Sequence, residues 1–569
     1  MDAWLSDKKI IQRSKRYYAH FDVRTDIGRM KDYASNPKAV AAHGFYPFIH
    51  YEMDMSKFKR GEGVVPKKRD ICYAAHIDRC IYQYYSHILN EKYNERTTCD
   101  GISNVAVAYR TNLGKSNIQF SKAAYDFIRK TENCYVMIGD FTHFFDNLDH
   151  AYLKKQWCSL LECERLPKDH YNVFKNITSF SQWELTDLLA INKLKDNKAG
   201  HRALNKQSRV LTAEQYKNNR SHIQPNMNHY GIPQGSPISG MLANLYMLEV
   251  DKQIHDLVEQ YHGFYMRYSD DFIVIVPDEP NNNALNVFSE VRAFIASAPR
   301  LKLEPSKTQY FHYKEEKVEN IGKAIDKGAD DSKKFINFLG FSFNGTKVFI
   351  RSKTTAKYYY RMHRKAKNIA KTGGYTRKGN HINLSGLYTL YSEHGAKSKR
   401  GNYFTYIEHA EEEYGQDEEI RHECEQKEIK AFDFMKMDDV AIYNAIATAE
   451  GAIMEAIKMQ PINLHKSRCL VLGYGRCAKV LAAKLKGMDA QVTVCARNKT
   501  ARSLAKSFGL EVMDFTELKR RICQYDHIFN TVPKQILKED ILRKISKESC
   551  IIDIASYPGG TNHQNGGKN

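Results

Sequence analysis

Three aspartates stand where carboxylates can do chemistry. Asp140 closes the apolar run Tyr135-Val-Met-Ile-Gly-Asp140, and Asp270 and Asp271 lead into Phe272-Ile-Val-Ile-Val276. Both runs read as buried strands, so the acids lie at strand ends where a sheet holds them rigidly. The segment Phe264-Tyr-Met-Arg-Tyr-Ser-Asp-Asp-Phe272 reads as a hairpin whose turn presents two adjacent acids. Gathering these carboxylates costs desolvation unless a positive charge compensates. Mg²⁺ is the natural counter-charge, because it takes one or two carboxylates and completes its shell with substrate phosphate oxygens. Two such ions about 3.5–4 Å apart activate a 3′-hydroxyl and stabilise a departing pyrophosphate. Spacing alone leaves a plainer reading open, in which an Asp-Asp pair is a solvated turn.

A second cluster lies near the C-terminus. Gly473-Tyr-Gly475-Arg-Cys-Ala478 follows strand-like Cys469-Leu-Val-Leu472 and opens a helical stretch from Arg476 to Leu485. In a dinucleotide fingerprint the first Gly makes the turn and the second admits the pyrophosphate. The third small residue, here Ala478, lets helix and strand pack closely. The helix N-terminus then favours the phosphate charge. After the second strand, Gln491-Val-Thr-Val494, the segment Cys495-Ala-Arg497 offers a cation where a ribose-binding acid is usual. That suits a 2′-phosphate and hence NADP. A Rossmann-like fold without cofactor would carry the same pattern.

The order of blocks around the first cluster is more specific. Asp140-Phe-Thr-His-Phe-Phe-Asp146-Asn-Leu-Asp-His150, Gly231-Ile-Pro-Gln-Gly-Ser-Pro-Ile-Ser239, Tyr268-Ser-Asp-Asp271, Leu301-Lys-Leu-Glu-Pro-Ser-Lys307-Thr308 and Phe338-Leu-Gly-Phe341 follow one another with sensible gaps. In that order they resemble the successive blocks of reverse transcriptases, over roughly residues 10 to 400. The resemblance implies Asp140, Asp270 and Asp271 as catalytic and metal-binding residues. It implies Phe145 beneath the sugar, where its ring would exclude a 2′-hydroxyl, although a core Phe in a Phe-Phe pair is the competing reading. It places Gln234 on the incoming nucleotide and gives Gly235 a close backbone approach. Leu339 and Gly340 fall at the primer grip, and Lys307 would neutralise the leaving pyrophosphate. Upstream, Lys67-Lys-Arg69-Asp-Ile-Cys-Tyr-Ala-Ala-His-Ile-Asp78-Arg79 resembles the fingers block, with Arg69 gripping triphosphate.

These residues need elements to position them, and the size of the chain allows several. At 569 residues two or three domains are expected. The implied architecture is an α+β right-hand polymerase (fingers, palm, thumb) followed by a partial α/β Rossmann-like domain. The boundaries are 1–130 for an N-terminal extension and fingers, 131–345 for a palm with an insertion at 153–230, 346–407 for a basic thumb, 408–431 for an acidic linker and 432–569 for the Rossmann-like part. The net charge of +20 points to a polyanionic partner. Between Lys347 and Arg400 fourteen Lys or Arg face one acid, Glu393. Tyr358, Tyr359, Tyr360, Tyr375, Tyr388 and Tyr391 lie among them, where rings could stack on bases or sugars. Ten acids between Glu408 and Glu428 then mark the boundary, and the Gly/Asn-rich end from Gly559 reads as disordered. No apolar run reaches the roughly 18 residues of a membrane span, and Met1 to Arg16 lacks a secretory core. A cytoplasmic protein without a membrane partner is expected. The twelve cysteines include no Cys-x-x-Cys pair and read as reduced thiols.

The stretches Asp439-Val-Ala-Ile-Tyr-Asn, Thr448-Ala-Glu-Gly-Ala-Ile, Phe529-Asn-Thr-Val-Pro533 and Ile552-Asp-Ile-Ala-Ser-Tyr-Pro-Gly-Gly-Thr561 resemble the C-terminal part of the dipicolinate synthase A subunit. That family's substrate domain has no counterpart here. Among reverse transcriptases, group II intron types add maturase and endonuclease domains that are not visible. Gly44-Phe-Tyr-Pro-Phe-Ile-His-Tyr51 and the insertion from Leu153 to Tyr230 look like bacterial defence-associated antiviral types. The implied reaction is RNA-directed DNA synthesis on an RNA template, extending a DNA or RNA primer with dNTPs and Mg²⁺. A dedicated non-coding RNA is a further candidate partner. The alternatives are a non-catalytic RNA-binding protein on a polymerase fold, and an NADP-dependent oxidoreductase acting through the C-terminal segment.

Overall fold

The computed structural model describes residues 2–555 apart from 56, 60–62, 67, 281–282, 330, 373–384, 393–394, 399–400, 416–419, 421–437 and 461. The readings placed on Lys67, Tyr375, much of the acidic stretch and the C-terminal end lie outside the described residues. The chain divides into two compact units, residues 1–357 with 407–423, and residues 358–406 with 424–569.

The first unit is organised by apolar strands that cannot face water. Strands β1 to β4 are Phe48–Asp54, Lys57–Lys59, Gly63–Val65 and Lys68–Tyr73. Strand β5 is Asn133–Asp140, and β6 and β7 are the short Ser181–Glu184 and Gln224–Pro225. Strands β8 to β11 are Phe264–Tyr268, Asp271–Pro277, Gln309–Lys314 and Lys317–Asn320. The central antiparallel sheet has the order β11-β10-β5-β9-β8. Its middle strands are buried almost throughout, which explains their unbroken Val/Ile/Met content. The helices Ser239–Gln260 and Ala284–Ser297 pack on one another and on this sheet. The first is buried on nearly every side from Ser239 to Leu248 and becomes amphipathic after Val250.

A second sheet has the order β4-β1-β6-β7, with β1 antiparallel to β4 and parallel to β6. Strands β6 and β7 come from the insertion at 153–230, so the insertion is built into this sheet. A separate core of Ala19, Phe21, Ile49, Trp183, Leu188 and Leu204 joins it to the N-terminal segment. Strands β12 to β14, Ile336–Phe338, Phe341–Phe343 and Val348–Ile350, make a third sheet.

In the second unit, strands β15 to β19 are Arg468–Leu472, Gln491–Cys495, Glu511–Met513, His527–Asn530 and Cys550–Asp553. All pair in parallel, in the order β17-β16-β15-β18-β19. Counted within the unit this is 3-2-1-4-5, a doubly wound arrangement whose order reverses beside β15. The helices Asp438–Met459 and Arg476–Gly487 pack on each other in the same unit. Residues 352–371 form the expected basic helix. Its tyrosines divide: Tyr358 and Tyr359 are buried with Met362 in a small aromatic core, whereas Tyr360 is 63% exposed. The first two are therefore packing residues and not a platform for bases. Among the described residues no helix is long and apolar enough to cross a membrane.

One ionic contact lies inside the first unit. Asp251, on an inward stripe of Ser239–Gln260, meets Arg267 of β8 at 2.6 Å with both side chains fully buried. Tyr265 Oη donates to the same carboxylate at 2.8 Å, and Arg267 Nη1 donates to the Ser269 carbonyl at 3.0 Å. Burial pulls the guanidinium down, but the Asp251 charge and hydrogen bonds outweigh it and hold Arg267 firmly protonated. Removing one partner strands the other in the core. Asp251→Asn should therefore lower stability by about 3–5 kcal/mol in denaturant unfolding. The paired replacement Asp251→Leu with Arg267→Met should recover most of that loss; equal damage from both would show that the ion pair is not the cause.

Candidate active site

The register of the central sheet decides where the three aspartates go. Asp140 ends β5 and lies directly opposite Asp271 of β9, with Gly139 opposite Phe272. Directly opposed residues of an antiparallel pair share a face, so these two acids point the same way. A Cβ on Gly139 would meet the Phe272 ring at 2.3 Å, so only glycine lets the strands close here. Tyr268 pairs with Asp271, which leaves Ser269 and Asp270 as a two-residue turn between β8 and β9. The sequence reading put both acids in the turn; only Asp270 is there, because Asp271 is already committed to the ladder.

That turn is strained and braced. Ser269 has φ +62°, a value usually left to glycine at the first position of such a turn. Its carbonyl is held by Arg267 and its Oγ bonds Tyr109 Oη at 2.7 Å. Tyr109 itself has φ +64°, and its ring lies where a Cβ on Gly240 would be, 2.7 Å away.

Electrostatics mark the site as short of positive charge. The Asp271 carboxyl is pushed up from its ordinary 3.8 to about 7, first by burial and then by the charges of Asp270 and Asp140. Lys307 and Arg351 work in the opposite direction. Lys307 Nζ sits 2.6 Å from Asp140 Oδ1, so one acid already has a cation beside it. An all-oxygen donor set under like-charge strain suits a hard divalent ion. Among the described residues the three carboxylates are not drawn within 4.8 Å of one another. The group that is, His255, Asp256 and Glu259, lies on one helix in ordinary side-by-side pairs with its neighbours.

The other expected residues fall on elements tied to this sheet. Phe144 is 3% exposed and lies in the core, and Phe145 is half-buried and packs against that core edge-on to Phe144. The Phe145 carbonyl accepts from Ile232 N–H at 3.0 Å, and Gly231 N–H donates to Leu148 at 2.9 Å. The Gly231–Ser239 segment is thereby fastened to the segment after Asp140. The Gln234 carbonyl accepts from Cys72 N–H of β4 at 2.8 Å. Gly235 has φ +112°, and a Cβ there would lie 2.4 Å from the Cys72 carbonyl oxygen. The close approach that Gly235 permits is thus to β4. Arg69 lies exposed on that same strand, opposite Met53. Leu339 (φ +47°) and Gly340 (φ +94°) form the two-residue turn between β12 and β13. Asn117 Nδ2 donates to the Leu339 carbonyl at 2.9 Å.

The sequence reading passed over Tyr109, Asp251 and Arg267. Asp251 carries a faint signal, an acid among the apolar positions Leu248, Val250 and Ile254 of one helix. Arg267, between Met266 and the Asp-Asp turn, carries the matching one.

In the second unit, Gly473 has φ +94° and a Cβ there would meet Thr531 Oγ1 at 2.7 Å. Gly475 caps the helix Arg476–Gly487, and a Cβ there would find nothing within 4 Å. Ala478, in the first turn of that helix, is fully buried, as the fingerprint requires. Arg497 is exposed just beyond the end of β16. An open helix N-terminus with a cation beyond the second strand fits a phosphorylated dinucleotide.

Comparison with known proteins finds two separate matching segments. Residues 65–343 match the family described as reverse transcriptase (RNA-dependent DNA polymerase), and residues 454–559 match shikimate / quinate 5-dehydrogenase. The dipicolinate synthase A subunit of Bacillus subtilis (strain 168) is 36% identical over 144 residues, which cover 25% of this chain and 48% of that protein. Solved structures are similar over the same segment. One is the dipicolinate synthase A subunit from Bacillus halodurans, with 34% identity, 23% of this chain, 45% of that chain and a TM-score of 0.23. Another is the corresponding dipicolinate synthase chain from Bacillus subtilis, with 32% identity, 28% and 49% coverage and a TM-score of 0.24. The chain spans about half the length of these relatives.

The Asp271 shift has a measurable consequence. Folded Asp271 keeps its proton to about pH 7, whereas an aspartate at 3.8 has lost it well below that. Raising pH through this window therefore costs the fold stability. Thermal unfolding in EDTA should show a midpoint that falls between about pH 4 and 7. Asp271→Asn should flatten that fall, and excess Mg²⁺ should reverse it for the natural chain only. A wild-type midpoint that is flat across the window would contradict the crowding.

Proposed function

We propose, from the match of residues 65–343 to the reverse transcriptase family, that the chain is an RNA-directed DNA polymerase that extends a primer 3′-hydroxyl with dNTPs. The observation that carries this reading is the placement of Asp140 opposite Asp271 with Asp270 in the adjoining turn. In this reading the central sheet is the palm, the β1–β4 sheet belongs to the fingers, and residues 346–407 form the thumb. Asp140, Asp270 and Asp271 hold two Mg²⁺ ions. Bound there, the ions supply Lewis-acid stabilisation for the attacking hydroxyl and the leaving pyrophosphate.

The chain's own residues then divide the remaining work. Arg69 grips triphosphate oxygens, where a guanidinium makes paired hydrogen bonds. Gln234 and Gly235 orient the incoming nucleotide, held in place by the Cys72 contact. Phe145, half-buried with part of its surface open, blocks a 2′-hydroxyl. Lys307 neutralises the pyrophosphate as it departs. Leu339 and Gly340 steady the primer end.

The test is primer extension by purified protein on poly(rA)/oligo(dT) with Mg²⁺, comparing dTTP with UTP. The natural chain should incorporate dTTP, and Asp270→Asn should reduce incorporation to background while still binding RNA. Phe145→Ala should raise UTP use relative to dTTP by about 10–100-fold. An active Asp270→Asn protein would sink the mechanism.

The C-terminal unit supports its own reading, carried by the open helix N-terminus at Gly475 and the exposed Arg497. It binds NADP, with Gly473 making the turn, Gly475 admitting the pyrophosphate, Ala478 packing helix on strand and Arg497 on the 2′-phosphate. NADPH fluorescence titration should show binding to the full chain that Gly475→Arg abolishes. Equal affinity for NADH would remove the role given to Arg497.

A further inference from the structure

The insertion carries a charge that the reactions above do not use. Between Lys193 and Arg209 six cations, Lys193, Lys195, Lys198, Arg202, Lys206 and Arg209, accompany one acid, Asp196. All six are exposed. Asp196 is taken by His201 at 2.7 Å, and among the described residues no carboxylate pairs with any of the six. Leaving six like charges unpaired on so short a stretch costs self-repulsion, which a polyanion relieves.

The cations sit on a lobe that is firmly built. Leu188, Leu189, Leu204, Val210 and Leu211 turn inward onto Phe21 and Trp183. Asn205 Oδ1 accepts from Ala19 N–H at 2.9 Å, which ties the lobe to the N-terminal segment. Lys198 and Arg202 lie one turn apart on the short helix Lys198–Leu204, with Gly200 and Leu204 buried. The chain then continues through β7, which pairs with β6. Asn226 N–H donates to the Phe180 carbonyl at 2.7 Å, and Tyr230 bridges to Asp149 next to the Gly231–Ser239 block. The charged lobe is thus joined through backbone hydrogen bonds to the segments around Asp140 and Gly231.

Two polyanions could suit such a surface, a nucleic acid or an anionic membrane. A membrane-binding lobe needs apolar side chains to insert beside its cations. Within residues 193–209 no large hydrophobic residue is among the exposed ones; in the rest of the insertion only Tyr171 and Met227 are, and neither lies among the cations. Phosphodiester contacts need only charge.

We propose that the lobe at 193–209 binds single-stranded RNA through its phosphates, a contact additional to any made by the basic helix at 352–371. The inference rests on the polymerase reading, because the strand held there is template RNA not yet copied. Removing one cation–phosphate pair should lower the dependence of log K on log salt by about 0.7 for a single strand.

The experiment uses the full chain and a fluorescein-labelled oligo(U) strand, with anisotropy titrations across a range of NaCl. The variant Lys195→Gln, Lys198→Gln, Arg202→Gln, Lys206→Gln should bind more weakly by at least about tenfold. Its salt slope should be smaller by about 3, four phosphates at 0.7 each. The charge-preserving variant with Arg at positions 195, 198 and 206 should keep the natural slope. In primer extension the glutamine variant should raise KM for a template with a long 5′ overhang and leave kcat unchanged. An unchanged salt slope would overturn the proposal. So would a glutamine variant that loses binding to phosphatidylserine vesicles while keeping its RNA affinity. Asp270→Asn separates the two readings: it should lose synthesis while keeping the full RNA salt slope. If it still made DNA, the polymerase reading would fail whatever the lobe binds.

Discussion

Repulsion among Asp140, Asp270 and Asp271 is the constraint to which the first unit is built. Three carboxylates at the end of a buried sheet are tolerated only if the scaffold is rigid and positive charge is at hand. Rigidity comes from beneath the hairpin. Arg267 and Asp251 neutralise one another out of reach of water, and Arg267 also holds the Ser269 carbonyl. Tyr109 fastens the same serine from its side chain. The strained φ at Ser269 persists because these contacts over-determine it. Positive charge comes from Lys307, which rests on Asp140.

The same economy governs the segments around the sheet. Gly231 and Gly235 are small because neighbouring backbone stands where their side chains would be. The Asp146 carbonyl presses on the first and the Cys72 carbonyl on the second. These contacts join β4, the segment after Asp140 and the Gly231–Ser239 segment into one body. Under the proposed function, that body is what would hold a nucleotide and a metal at the fixed separation in-line transfer demands. The insertion shares in this construction through β6 and the Trp183 core, and it carries its unpaired cations on the outside.

The second unit solves a different problem with a different fold. Its parallel strands are buried on both faces and read as short apolar runs. The turn after β15 is open at Gly475 and closed at Gly473, where Thr531 and Val532 crowd in. One glycine serves the turn and the other leaves room above the helix N-terminus.

The sequence by itself determined the kinds of element and where the candidate acids and glycines lie along them. Apolar runs bounded by acids predicted β5, β9 and the hairpin, and the strand–Gly-x-Gly–helix order predicted β15, the helix after it and β16. Those signals are local, set by side-chain periodicity and turn residues a few positions apart. Only the tertiary structure decided what depends on register and on partners distant in the chain. It placed Asp271 in the ladder opposite Asp140 and left Asp270 alone in the turn, since pairing shifts by single residues reassign every side chain. It set Phe144 fully in the core and left Phe145 half-buried against it. It turned Tyr358 and Tyr359 inward, because a ring on a helix buries itself wherever neighbouring rings allow. It also paired Asp251 with Arg267 across sixteen residues, a contact that periodicity cannot reveal. A charge goes into a core only when its counter-charge goes with it, and which two meet is settled when helix and sheet pack.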